Sequence, residues 1–254
     1  MNKTQKKHVY ISIFAVLLFG FLFFQEPKIK DAAEAVRLGN YYFNGAGGYD
    51  LEKAEAGFTK AVEIDPKILW GHYQLARVYF VKGEKDRALE EINKELEVNP
   101  ENLRSLYVRG LIYESSGKLA EAEADFKRFV LWAPKEWAGY NDLAWILAKE
   151  GKYREAKEVL LEALKKTGRA EKNSWLWNSL GVAELNLGEY ANARKSFTKA
   201  KESASMLPLK DWQDAYPGNN PEESARGLAD FKRAIEENLK RSLPARASSV
   251  DSET

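Results

Sequence analysis

Small and large apolar residues recur at a fixed phase along most of the chain. Ala54, Ala88, Ala122 and Ala156 follow one another at intervals of 34 residues, and Ala193 comes after 37. Four positions beyond each stands a large apolar side chain: Phe58, Ile92, Phe126, Leu160 and Phe197. Twelve positions before each alanine from the second onward is a small residue, Ala76, Gly110, Ala144 or Gly181. Apolar positions four apart predict helices packed along one stripe. Gly83, Gly117, Gly151 and Gly188 fall between the two helices of each unit, where a left-handed turn suits glycine. Pro66, Pro100 and Pro134 keep the 34-residue period, and Asp65 and Asn99 precede the first two. The residue before a proline is steered away from helical backbone, so these positions end the second helices. Two short helices cannot bury their shared face alone, so the predicted stability comes from stacking unit on unit.

The flanks break this rhythm. Residues 9–24 carry no charge, and the uncharged run extends to eighteen residues if His8 is counted as neutral. As a helix that run would span about 27 Å, close to the roughly 30 Å hydrocarbon core of a bilayer. Lys3, Lys6 and Lys7 precede it in a basic tail over 1–8, and 25–31 reads as a linker. Small residues suited to signal cleavage do not follow the run, which predicts a retained signal anchor. The lysines predict a cytoplasmic N-terminus, a single-pass topology and an extracytoplasmic, periplasmic or extracellular remainder. Beyond the repeats, 208–220 reads as an irregular loop. Asn220, Pro221 and Glu223 form a helix-start signature, and Leu228, Phe231, Ile235 and Leu239 make one apolar stripe, predicting a capping helix over 221–243. The polar tail 244–254 reads as disordered.

The repeat phase resembles that of the tetratricopeptide repeat (TPR) family. Leu106, Gly110, Tyr113, Gly117, Ala122, Phe126 and Pro134 carry the likeness most fully, and Trp177, Leu180, Gly181, Gly188, Ala193, Phe197 and Ala200 repeat it. Units are placed at 32–68, 69–102, 103–136, 137–170 and 174–207. The first has three extra residues in its turn (Asn44–Gly48), and the fourth has Gly168 where a closing proline would stand. The expected fold is all-α: an α-solenoid of about five helix-turn-helix units with a C-terminal cap, preceded by one transmembrane helix.

Composition narrows the chemistry. No cysteine is present, and the histidines are His8 and His72, which excludes disulfides, thiolate metal sites and a histidine-rich metal centre. A net charge of +1 argues against a nucleic-acid partner. His72 sits beside Trp70 and Tyr73 with no catalytic partner signalled, and the Asn44–Gly48 turn lacks the lysine of a phosphate loop. The sequence therefore predicts no enzyme, no cofactor and no metal.

The resemblance implies a concave groove, lined by first helices, that holds a protein or peptide partner. Carried over by phase, its lining is Trp70, Tyr73, Arg77 and Phe80, then Arg104 and Tyr107, Asn141 and Trp145, and Trp175 and Asn178. Trp, Tyr and Arg are the types that dominate binding hot spots. The family's clamp for a C-terminal carboxylate maps onto Val36, Asn40, Gln74, Arg104 and Val108, where Asn40 matches and Arg104 conserves charge; the clamp is largely absent. A membrane-tethered scaffold or adaptor assisting an envelope or membrane complex is the expected function. A carbohydrate-binding accessory protein of the cell envelope, using its seven tryptophans, is the alternative. The solenoid flank and the C-terminal helix also offer surfaces for a homo-oligomer.

Overall fold

The computed structural model describes residues 31–46, 48–168, 170–215 and 221–243. The expected anchor at 9–24 with its flanks, residue Asn220 and the tail 244–254 lie outside the described residues. Among the described residues, no helix is long and apolar enough to cross a membrane.

The described chain folds into twelve α-helices. Five antiparallel pairs come first: α1 (Ala32–Phe43) with α2 (Leu51–Ile64), α3 (Gly71–Val81) with α4 (Lys85–Val98), α5 (Leu103–Ser115) with α6 (Leu119–Trp132), α7 (Trp137–Lys149) with α8 (Tyr153–Lys166), and α9 (Ser174–Asn186) with α10 (Tyr190–Ser205). The phased residues account for the pairing. Ala54, Ala88, Ala122, Ala156 and Ala193 are buried, as are Phe58, Ile92, Phe126, Leu160 and Phe197. Gly83, Gly117, Gly151 and Gly188 all adopt left-handed backbone, with φ between 75° and 79°, which other residues enter at a cost of about 1–2 kcal/mol. Asp31, Asp50, Asn102 and Asn173 cap α1, α2, α5 and α9 through side-chain bonds to the third residue on.

Each second helix packs on its own first helix and on the first helix of the next pair. First helices also touch one another directly, α3 with α5 and α7 with α9. The first helices thus lie on the inside of the stack. Two large apolar clusters form the core, one built on the first two pairs and one running from α5 to α9.

The C-terminal region differs from expectation in two places. Within the stretch expected to be irregular, Leu209–Asp214 forms a short helix, α11. The capping element opens as a 3-10 turn at Pro221–Glu223, and the α-helix proper, α12, runs Ser224–Arg241. Its cap residue is Glu223, whose side chain makes no capping bond. α12 lies against α10 and touches α9, taking the place that the first helix of a sixth pair would hold. Leu228 and Ile235 of its apolar stripe are buried.

Candidate functional site

Polar bonds along the inner face join the first helices of successive units at several junctions. Gln74 Nε2 donates to Asn40 Oδ1 at 2.7 Å, linking α3 to α1. Tyr107 donates its hydroxyl to Asp142 at 2.6 Å, linking α5 to α7. Ser179 donates to Asn141 Oδ1 at 2.7 Å, linking α9 to α7. Asn238 Nδ2 reaches Asn178 Oδ1 at 3.4 Å, extending the ladder onto α12. Each bond joins residues about one repeat apart or their topological equivalent, so the ladder reports the stacking phase directly.

The predicted groove residues fall into three groups. Trp70, Arg104 and Trp145 are exposed. Trp70 precedes α3 in left-handed backbone with φ 73°, a strained place for a side chain of this size. Buried Glu95 of α4 holds it there, accepting from the Trp70 N–H at 3.0 Å and the Tyr73 N–H at 3.2 Å. Those two bonds satisfy orphan donors at the helix start that no local cap serves. The Arg104 guanidinium lies 5.9 Å from the Trp70 ring centroid. Trp145 Nε1 donates to Glu114 of the preceding unit at 3.2 Å, and Lys149 pairs with the same carboxylate.

Arg77, Phe80, Trp175 and Asn178 are half-buried. The Arg77 guanidinium sits over the Phe43 ring at 4.5 Å and 5.6 Å from that of Tyr73. Phe80 packs on the first apolar cluster. Trp175 stacks on Trp137 at 4.8 Å between ring centroids, and on Trp212 and Phe231 at 5.8 and 5.7 Å. It is therefore covered by α11 and α12, and it belongs to the cap as much as to the groove.

Tyr73, Tyr107 and Asn141 are buried. Burial pushes the Tyr73 hydroxyl pKa up, with Arg77 and Arg104 pulling against it. Tyr107 packs its ring on Phe126 and Phe129. These three build the wall of the inner face more than they project from it. Their repeat phase fixes which side of a helix they occupy, but not how deeply neighbours cover them. The ladder partners Asp142, Ser179 and Asn238 were not among the predicted residues. The first two stand one position after a predicted one, a signal that was available.

Nothing on this face assembles into a catalytic constellation, and no cluster of potential metal ligands occurs among the described residues. What the face offers is exposed aromatic area, two arginines and a line of side-chain amides, a set suited to an extended polypeptide. A separate cleft of about 260 Å³ lies among Val130, Leu131, Tyr140, Leu143 and Val159, away from these residues.

Known proteins can now be set beside this geometry. TPR repeat-containing protein MJ1428 of Methanocaldococcus jannaschii is 29% identical over 172 residues, covering 68% of this chain and 29% of that protein. The matched region spans between 16% and 61% of the length of the curated relatives, and about a fifth to a third of most of them. Among solved structures, PilW, a widely conserved type IV pilus biogenesis factor, superposes with TM-score 0.61 at 19% identity, covering 85% of this chain and 94% of that one. YrrB, a TPR protein with an unusual peptide-binding site, gives TM-score 0.56 at 21% identity over 69% of this chain and 88% of its own. At such identities the likeness shows the fold alone. The family model for the tetratricopeptide repeat matches residues 73–139 and 141–206, more than half of the sequence. The chain belongs to the tetratricopeptide repeat family.

Proposed function

We propose that this chain is a non-enzymatic scaffold that binds an extended segment of a partner protein along its inner face. The observation that carries the reading is the exposure of Trp70, Arg104 and Trp145, which belong to three successive units. Exposed Trp and Arg on a rigid frame make binding anchors that lose little conformational freedom. The peptide-binding site of YrrB and the pilus role of PilW lie on the same fold and support the reading by analogy.

The finer reading has residues 9–24 tethering the scaffold to a membrane, with the repeats on the extracytoplasmic side, where it assists assembly of an envelope complex. Tethering raises the local concentration of the scaffold beside membrane partners, so modest groove affinity suffices. The carbohydrate alternative loses support from the stacking of Trp137, Trp175 and Trp212 on one another, which occupies ring faces that a sugar would need. In vivo crosslinking with the full chain, compared with a Trp70→Ala, Arg104→Ala, Trp145→Ala variant of unchanged helicity, tests the groove. Loss of the crosslinked partner is expected. An unchanged crosslinking pattern would reject it. Membrane fractionation of the full chain against one lacking residues 1–30 tests the tether, the shortened chain being expected in the soluble fraction.

A further inference from the structure

The first junction of the groove contains two buried donors with no acceptor among the described residues. Arg77 of α3 is largely enclosed, with Phe43 on one side of its guanidinium and Tyr73 nearby. Its Nη1 donates to Gln74 Oε1 at 2.7 Å, and Gln74 is in turn held by Asn40. The opposite edge carries Nε and Nη2. Nε is buried and has no hydrogen-bond partner. The Tyr49 hydroxyl is likewise buried and unpartnered. Its ring packs against Phe43 at 6.3 Å, so Tyr49 and Arg77 share the same aromatic neighbour.

Leaving such groups unpaired is costly, about 1–3 kcal/mol each and more for a charged one. Two other partly enclosed cations of the chain meet carboxylates. Arg109 makes two parallel bonds to Asp125 at 2.7 and 2.8 Å, and Lys82 contacts Glu52 and Glu55. No carboxylate lies within ion-pairing distance of Arg77 among the described residues. Burial lowers the Arg77 pKa, and repulsion from Arg104 adds to that effect. The Nε–Nη2 edge of a guanidinium matches the two oxygens of a carboxylate, and an enclosed pair of this kind is stronger than an exposed one.

We infer that Arg77 and Tyr49 form a subsite for a carboxylate, supplied by an aspartate or glutamate side chain of a segment lying in the groove. The Nε–H and Nη2–H of Arg77 donate to its two oxygens, and the Tyr49 hydroxyl donates a third bond. Phe43 and Gln74 hold the guanidinium plane in place. Neither Arg77 nor Tyr49 occupies a position of the C-terminal carboxylate clamp, and Tyr49 directly follows the lengthened turn that sets the first unit apart. Charge complementarity selects the occupant: this end of the face presents Arg77 and Arg104, neither with an acidic partner among the described residues.

The inference rests on the groove reading, and the test separates the two. Two fluorescein-labelled decapeptides of Gly, Leu and Asp, or Gly, Leu and Asn in the same order, are titrated into the full chain by anisotropy. The wild type is expected to bind the Asp peptide about tenfold more tightly, the order of one charge-assisted pair. Arg77→Gln should bring the two peptides to equal affinity. Tyr49→Phe, which keeps the ring and its packing, should narrow the difference by a few fold. Trp145→Ala should weaken both peptides alike and leave their ratio unchanged. Equal binding of both peptides by the wild type, or a preference that survives Arg77→Gln, would overturn the carboxylate subsite while leaving the groove. Absence of binding by either peptide would overturn the groove reading and the subsite with it.

Discussion

Within each pair, the two phased positions compensate one another in volume. Where the first helix has glycine, the second has phenylalanine: Gly39 with Phe58, Gly110 with Phe126, Gly181 with Phe197. A methyl group on Gly39, Gly110 or Gly181 would sit 2.5, 2.7 or 2.6 Å from the ring of its partner. Where the first helix has alanine, the second has a smaller side chain: Ala76 with Ile92 and Ala144 with Leu160, all buried. The phase tolerates either arrangement but not a mixture. Gly110→Ala is expected to cost about 1–3 kcal/mol through overpacking. Phe126→Leu alone should cost a similar amount through lost contacts and a cavity. Together they recreate the Ala144–Leu160 arrangement. The double variant should therefore be more stable than the two separate losses predict, by at least about 1 kcal/mol in urea denaturation.

His72 makes a second prediction at this scale. Its Nδ1 lies 2.6 Å from Glu91 and its Nε2 lies 3.1 Å from the Pro66 carbonyl oxygen. Both partners are acceptors, so the doubly protonated ring satisfies both. The bond to Glu91, aided by its charge and by the carbonyl, raises the His72 pKa above the ordinary value of 6.5 despite burial. The stabilisation is then complete below about pH 6.5 and is lost as pH rises through the elevated folded value. On the acid side, burial tends to raise the Glu91 pKa, but the bonds from His72 and Lys94 prevail and hold it below 4.5. That contribution falls away as pH drops from about 4.5 through the depressed folded value. Denaturation midpoints of the wild type should decline on the alkaline side of this window, and His72→Gln should flatten that decline.

At the scale of elements, the C-terminal cap is held by aromatic stacking as well as by an apolar stripe. Trp212 of α11 meets Trp175 and Phe231, and it also lies over Gly227, where a methyl group would come 3.1 Å from its indole nitrogen. A short helix such as α11 is not stable on its own; the docking of Trp212 is what keeps it formed. Trp212→Ala should reduce stability by about 2–3 kcal/mol, somewhat under the usual range for a fully buried aromatic. It should also remove near-ultraviolet circular dichroism arising from the stacked indoles. If that signal persisted in Trp212→Ala, the stacked cluster would not be its source. The same elements show where sequence reading stops. Paired helices were legible because Ala122, Phe126 and their counterparts mark the core in every unit. α11 was not, because six residues after Pro208 carry no periodicity, and its reason for folding is a contact with Trp175 some forty positions earlier. Phase also picks out Trp70, Arg77 and Trp145 as candidates for the inner face. Phase cannot report that α12 covers Trp175, nor that Tyr49, just after a turn that breaks the repeat, packs on the same Phe43 ring as Arg77.

For the whole molecule, stacking of neighbour on neighbour implies that damage stays local. The two large clusters meet at α5: Val108 and Ile112 join the cluster of the first two pairs, whereas Tyr107 joins the one that continues to α9. Few contacts pass beyond adjacent units, so a loss in the first pair reaches the last only through every interface between. Phe58→Ala removes a fully buried ring and should cost about 3–5 kcal/mol locally. In a domain with one shared core, that cost would speed the global opening everywhere. In this stack, opening of α1 to α4 becomes cheaper while α7 to α10 retain their own interfaces. Hydrogen exchange followed by mass spectrometry should thus show faster exchange across α1 to α4 in Phe58→Ala. Protection of α8, α9 and α10 should stay close to that of the wild type, with α5 intermediate because it shares both clusters. Equal acceleration in α2 and α10 would show that the units open as one body, and the stability of the groove would then have to be assigned to the whole stack instead of to the interfaces that line it.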